Sequence, residues 1–165
     1  LQGFGAADVI VAGDSAGGNL ALALTLSLKE EGRLLPGGLV LLSPWTDLTA
    51  SGSSHESRAE LDPVLNEDYL REMTENYAKD ADRQDPHVSP LFADFSGFPP
   101  VCIQVGDNEV LLSDSLRLQK NLTQAGVAAR LEVFEGMWHV FQMSPFKTAS
   151  EAMDRCAEFI LQLQG

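Results

Sequence analysis

A glycine-rich turn between a strand and a helix constrains the fold of this chain more than any other sequence feature. Residues 9–12 are apolar and β-branched and predict a buried strand, while residues 19–29 are rich in Leu and Ala and predict a buried helix. Between them, residues 13–18 read Gly-Asp-Ser-Ala-Gly-Gly and fit the pattern G-x-S-x-G. A strand, a tight turn and a helix in this order predict one unit of a parallel α/β sheet.

Short apolar strands and helices continue to alternate along the rest of the chain. The further predicted elements are residues 39–42, 66–79, 101–105, 113–125, 130–134 and a last helix that starts at Ser144 and Pro145. The last helix has a predicted buried stripe of Ala152, Met153, Cys156, Phe159, Ile160 and Leu163. This pattern predicts an α/β fold with four strands in a mostly parallel sheet that is covered by helices.

The charge balance and the cysteines limit the partners that we expect. The formal net charge of −13 opposes binding to nucleic acid, which needs clustered Lys and Arg, and no apolar run approaches the ~20 residues of a membrane span. The two cysteines, Cys102 and Cys156, lie in a predicted strand and on an apolar helix face. They show no metal-binding spacing and fit free buried thiols in a reducing, cytoplasmic setting.

Ser15 is the candidate nucleophile of the turn. A strained turn exposes a serine hydroxyl only if the flanking side chains are small, and Gly13, Ala16, Gly17 and Gly18 meet this demand. Gly13, Asp14 and Gly17 are the elbow residues around the serine. The backbone N–H of Ala16, at the start of the helix, is a candidate oxyanion donor. Glycine-rich turns also bind phosphate, but this one has neither the P-loop ending nor the G-x-G-x-x-G spacing.

Three histidines are candidates for the base that a serine nucleophile needs. His139 follows the strand at 130–134 by a short loop, so we expect it at the carboxyl edge of the sheet, level with Ser15. It also comes last in the order serine, acid, histidine. We expect His55 and His87 to be solvated or locally bonded loop residues.

The acid that orients the histidine should follow the strand at 101–105. Position alone allows Asp107, Glu109 or Asp114. Asp114 begins a helix, where a carboxylate interacts favourably with the N-terminus, and Asp107 is also a residue that shapes turns. Physical reasoning on the sequence therefore leaves Asp107 and Glu109 both open.

Five stretches resemble the bacterial hormone-sensitive-lipase-like esterases, also called family IV. They are GDSAGG at 13–18, SPWTDL at 43–48, VSPL at 88–91, GDNEVLLSD at 106–114 and GMWHVF at 136–141. They occur in family order from near the first residue to near the last, and the first two are specific when found together.

The resemblance implies hydrolysis of carboxylic esters with short to medium acyl chains. The family acid lies in a D-P-L or E-x-L pattern, which Glu109 matches, with Asp107 as the alternative because glutamate departs from the commoner form. Asp47 is implied to brace a loop near the site.

The resemblance covers only the carboxyl-terminal half of a family chain. The family's H-G-G-G motif, which completes the oxyanion hole, has no match here, and the four strands correspond to the fifth to eighth of eight. We therefore expect residues 1–165 to be a partial α/β-hydrolase catalytic domain that lacks an N-terminal segment, with 48–79 as a cap-contributing insertion. The family often forms dimers, so the resemblance makes the strand at 130–134 a candidate edge for a homodimer. The alternative is an ordinary edge strand guarded by Arg130 and Glu132.

These features predict a serine hydrolase that cleaves esters through an acyl-enzyme and needs no metal or cofactor. Two alternatives remain open. One is a ligand-binding protein of the same fold, like the plant gibberellin receptors, which lack the catalytic histidine that His139 would supply. The other is an amidase or acetyl-hydrolase, because the same three residues serve any acyl transfer.

Overall fold

The computed structural model describes residues 3–164, which form a four-stranded parallel sheet with helices on both faces. The strands are β1 (Ile10–Asp14), β2 (Gly38–Leu42), β3 (Val101–Gly106) and β4 (Ala129–Phe134). The helices are α1 (Ala16–Glu30), α2 (Ser54–Ser57), α3 (Glu67–Ala78), α4 (Leu112–Gln124) and α5 (Lys147–Leu163), with single 3₁₀ turns at Ala6–Asp8, Pro90–Phe92 and Phe141–Met143. The predicted α/β fold is confirmed.

The strands lie side by side in chain order, β1-β2-β3-β4, and every neighbouring pair is parallel. The residues that follow the strands therefore meet at one edge of the sheet. Ser15 follows β1, Ser43 follows β2, and the loop after β3 begins at Asp107. The loop after β4 carries His139 to the same edge.

The core consists of layers on the two faces of the sheet. Leu39 and Leu41 of β2 pack toward α1 and α4, where Leu118 is fully buried. Val40 points to the opposite face, as the alternation of a strand requires, and packs with Cys156 of α5. Each such side chain stabilises the fold by about 1.5–3 kcal/mol through burial.

The last helix differs from its prediction. It begins at Lys147, and not at Pro145, because Phe146 keeps an extended backbone and packs against Trp138 and Phe141. Met153 was placed in the buried stripe, yet it is 45% exposed, since only one face of α5 contacts the sheet.

The burial of α1 differs in part from its prediction. The prediction of a buried helix is wrong in part, because Leu20 and Leu24 are about half exposed. Within residues 3–164, no helix is both long enough and apolar enough to cross a membrane.

Candidate active site

Ser15 lies at the sharp turn between β1 and α1. Its backbone has φ 51° and ψ −119°, a strained conformation for a residue other than glycine. The strain is held by backbone hydrogen bonds: the Ser15 N–H donates to Leu42 O at 2.9 Å, and Ser15 O accepts from Trp45 N at 3.0 Å. A Cβ on Gly13 would lie 2.2 Å from Gly17 O, so the turn closes only with glycine there.

Ala16 is the first residue of α1 and directly follows Ser15. The first N–H groups of a helix have no partner within the helix, so the Ala16 N–H is free to bind an oxygen atom beside the serine hydroxyl. The helix dipole adds a favourable interaction with negative charge at this point.

His139 reaches Ser15 from the loop after β4. Its Nε2 lies 2.9 Å from Ser15 Oγ, and its ring is almost completely buried. The next residue, Val140, adopts the left-handed conformation, with φ 52°, and leads into the turn at 141–143. Phe141, the first residue of this turn, is fully buried in a cluster with Phe134, Ala149 and Ala152.

Glu109 contacts the other nitrogen of the histidine. Its Oε2 lies 3.0 Å from His139 Nδ1, and its side chain is completely buried. Its Oε1 accepts hydrogen bonds from Gly106 N and from Ser43 Oγ, so both carboxylate oxygens have partners. The structure therefore brings three of the residues singled out in the sequence, Ser15, His139 and Glu109, into one series of hydrogen bonds.

Asp107, the alternative acid, lies in the same loop but points elsewhere. Its Oδ1 accepts a hydrogen bond from Gly136 N at 2.7 Å. This contact joins the loop after β3 to the loop after β4, which carries the histidine. Gly106 also packs against the second loop, because a Cβ there would lie 2.3 Å from Met137 O.

Asp114 and His55 differ from their expected positions. Asp114 does not simply interact with its own helix end: it is fully buried, and its Oδ2 accepts from Thr46 N and Asp47 N, both at 2.9 Å. His55 lies in α2 rather than in a solvated loop, with its Nε2 3.6 Å from Asp114 Oδ1. Burial raises the pKa of Asp114, although the nearby His55 and the backbone hydrogen bond from Thr46 oppose that rise.

Asp47 braces the segment after β2. Burial alone would raise the pKa of Asp47, but hydrogen bonds from Ser51, Thr49 and Arg117 outweigh it and hold that pKa below its usual value. The Arg117 Nη1 atom lies 2.7 Å from Asp47 Oδ2 and connects this segment to α4.

His87, the third histidine, contacts α1. Its Nδ1 is 3.4 Å from Ser27 Oγ, and its Nε2 is 2.8 Å from Glu30 Oε2. Both His87 and Glu30 are largely open to solvent. The structure therefore places His55 and His87 away from Ser15.

An open cavity of about 430 Å³ adjoins Ser15 and the first turn of α1. Its walls are mostly apolar and come from α1, the segment after β2 and α3. Among the side chains that line it are Trp45, Leu48, Leu65, Leu70, Met73 and Tyr77. An apolar cavity beside a candidate nucleophile suits the hydrocarbon part of a small molecule.

Ser43 is the residue of this site that sequence reasoning missed. It belongs to the SPWTDL stretch, but no role was assigned to it from the sequence. Its only signal was its place directly after a predicted strand, where side chains reach the carboxyl edge of the sheet.

Comparisons with known proteins agree with this geometry. A sequence profile described as the α/β hydrolase fold matches residues 2–143. An esterase of Acinetobacter venetianus is 42% identical over 166 residues, which cover 99% of this chain and 55% of that protein. An acetyl-hydrolase of Streptomyces hygroscopicus is 39% identical over 140 residues, which cover 85% of this chain and 47% of that protein.

Solved structures give the same result. The crystal structure of an esterase from the bacterial hormone-sensitive lipase family superposes with a TM-score of 0.95 at 38% identity, covering 99% of this chain and 56% of that one. A hormone-sensitive lipase homologue from a metagenome library gives a TM-score of 0.94 at 42% identity, covering 96% and 56%. The chain spans about half the length of the relatives that it matches. It belongs to the α/β-hydrolase fold family and, within it, to the hormone-sensitive-lipase-like carboxylesterases.

Proposed function

We propose that this chain supplies the nucleophile, the base and the acid of a serine hydrolase that cleaves carboxylic esters. The observation that carries the proposal is the series of hydrogen bonds from Ser15 Oγ through His139 to the buried carboxylate of Glu109. A serine on a strained turn, a histidine within 2.9 Å of it and an acid behind the histidine form the arrangement that activates a hydroxyl for acyl transfer.

In the first half of the proposed reaction, Ser15 Oγ attacks the ester carbonyl carbon while His139 Nε2 takes the hydroxyl proton. Glu109 holds the Nδ1–H tautomer of His139 and stabilises the imidazolium that forms. The carbonyl oxygen becomes an oxyanion, and the Ala16 N–H donates a hydrogen bond to it. The tetrahedral intermediate then collapses, and the alcohol leaves with the proton from His139.

In the second half, water hydrolyses the acyl-enzyme. His139 removes a proton from the water, whose oxygen attacks the acyl carbon, and a second oxyanion forms beside Ala16. Collapse of this intermediate releases the carboxylic acid, and Ser15 Oγ regains its proton from His139.

The cavity beside Ser15 supports a substrate with a short to medium hydrocarbon chain. Its walls are mostly apolar, so a hydrocarbon chain that enters it is removed from water at little cost in unpaired polar groups. A relative named acetyl-hydrolase fits the short end of this range. Segment 48–79 supplies much of the wall, which fits the proposal that it contributes to a cap.

We also propose that these residues are the carboxyl-terminal part of a larger catalytic domain. We propose further that two copies of the protein form a homodimer through β4. Within the described sheet, β4 is an edge strand with one neighbour, and its Val133 is half exposed, which supports a contact with a second copy. Arg130 and Glu132 form an ion pair on the same strand.

Among the described residues, Cys102 and Cys156 are free and buried, which favours a reducing, cytoplasmic setting.

The test is hydrolysis of p-nitrophenyl esters from acetate to laurate by the full-length protein that contains this chain. We expect turnover with a maximum at short to medium acyl chains and its loss in Ser15→Ala. Absence of turnover on every ester by a folded wild-type protein would refute the proposal. Ligand binding that Ser15→Ala leaves unchanged would then favour a binding protein.

A further inference from the structure

Ser43 contacts both the acid and the loop of the base. Its hydroxyl donates to Glu109 Oε1 at 2.7 Å and accepts a hydrogen bond from Val140 N at 3.2 Å. Val140 directly follows His139. One buried hydroxyl therefore joins the carboxylate to the backbone that carries the imidazole.

The carboxylate of Glu109 needs such an anchor. A glutamate has one more rotatable bond than an aspartate, and the torsion of its terminal carboxylate is broad. Gly106 N and Ser43 Oγ both donate to Oε1, which leaves Oε2 facing His139. Hydrogen bonds to an ionised acceptor are among the stronger ones, so removal of the hydroxyl would loosen this orientation.

The backbone around Ser43 is built to hold the hydroxyl in place. Ser43 has φ 49° and Val140 has φ 52°, so both ends of the bridge lie in the left-handed region. The Ser43 N–H also donates to Gln104 O on β3 at 2.7 Å, and the side chain is fully buried. Strained residues of this kind persist where the surroundings fix them, and they cluster at functional sites.

We propose that Ser43 is a positioning residue that orients Glu109 and couples it to the histidine loop. The proposal rests on the proposed esterase function, because it assigns Ser43 a part in the same reaction. Ser43 does not contact the substrate in this account. The hydrogen bond from Val140 N holds its hydroxyl in place, and the hydroxyl affects turnover through the orientation of the Glu109 carboxylate.

The test compares Ser43→Ala and Ser43→Gly with wild type in the full-length protein on one aryl ester. Both variants lack the hydroxyl. Alanine keeps the strained positive φ of this position, whereas glycine adopts it without strain, so a loss shared by both variants comes from the missing hydroxyl. We expect kcat to fall about 10- to 100-fold in both, with KM changed less than about threefold. Ser115→Ala, which removes another buried serine hydroxyl, is the matched control and should leave kcat unchanged.

A double-mutant cycle with Glu109→Ala separates positioning from a structural role. If Ser43 acts through Glu109, Ser43→Gly should lower kcat less than about twofold further once the carboxylate is gone. An equal loss in both backgrounds, or Ser43→Gly with wild-type kcat, would overturn the proposal. If wild type is active and Ser15→Ala is inactive, either of these outcomes overturns the role of Ser43 and leaves the proposed esterase function in place. A wild-type protein without turnover would overturn the proposed function and, with it, this proposal.

Discussion

In residues 3–164, a serine, a histidine and a glutamate lie in contact at two places, and the two sets differ in almost every other respect. In the first, Ser15, His139 and Glu109 lie at the carboxyl edge of the sheet, and the histidine and acid side chains are 6% and 0% exposed. In the second, His87 lies between Ser27 and Glu30 of α1, and its histidine and acid side chains are 42% and 56% exposed.

The surface set lacks what would make its serine reactive. The Ser27 hydroxyl donates to Ala23 O within its own helix, and His87 Nδ1 is 3.4 Å away, compared with 2.9 Å between His139 and Ser15. Ser27 also lies inside α1, where the backbone N–H groups bond within the helix and cannot hold an oxyanion. Residue types and proximity therefore do not distinguish the two sets, whereas burial, a strained turn and the N–H of Ala16 do.

The largest expected effect comes from replacing each histidine in the full-length protein. His139→Gln should lower kcat/KM for an aryl ester about 10⁴- to 10⁶-fold, because no other group accepts the Ser15 proton. His87→Gln removes only an exposed contact and should change kcat/KM less than about twofold. Steady-state kinetics on both variants check this, and a comparable loss in His87→Gln would erase the distinction between the two sets.

A smaller effect is expected from the acids, and it decides between the two alternatives that the sequence left open. Glu109→Gln should lower kcat about 10³- to 10⁴-fold, because the amide no longer holds the required histidine tautomer. Asp107→Asn keeps an oxygen that can accept from Gly136 N and should lower kcat less than about tenfold. The reverse order of losses would make Asp107 the acid.

The smallest effect concerns Asp114, which is as buried as Glu109 but has Thr46, Asp47 and His55 as its polar neighbours. Its pKa is raised in the folded state, so its contribution to stability is fully present below the unfolded pKa and is lost as pH rises toward the folded one. Asp114→Asn does not ionise, and its amide can donate to His55 Nε2. Relative to wild type, this variant should gain about 1 kcal/mol of unfolding free energy between pH 4 and pH 7.

Urea unfolding of the full-length protein at both pH values measures this gain, and aryl ester hydrolysis provides the control. Turnover should stay within about twofold of wild type, since Asp114 does not belong to the series of hydrogen bonds through Ser15, His139 and Glu109. A stability difference that does not depend on pH would contradict the assigned cause of the pKa shift.

The sequence predicted the strand, turn and helix around Ser15 because their signals are local. Glycines that fit a tight turn lie between an apolar strand and a helix, so motif and context agree. The position of His139 followed from chain order and from the rule that loops after parallel strands share one edge.

The rest depends on side-chain direction, which the sequence does not encode locally. Asp107 and Glu109 are two residues apart, and only the folded loop turns one carboxylate toward Gly136 and the other toward His139. Ser43 reaches Glu109 only because β2 and β3 are neighbours in register. Apolar spacing also misplaced Met153, because the width of the buried face of α5 is set by the sheet beneath it.

The most direct test of the central claim is labelling of the full-length protein with a fluorophosphonate, which reacts with serines that a neighbouring base activates. Peptide mass spectrometry would then locate the adduct. We expect one adduct per chain on Ser15, none on Ser27, and loss of labelling in His139→Gln. Labelling of Ser27, or labelling of Ser15 that persists at the same rate without His139, would contradict the account.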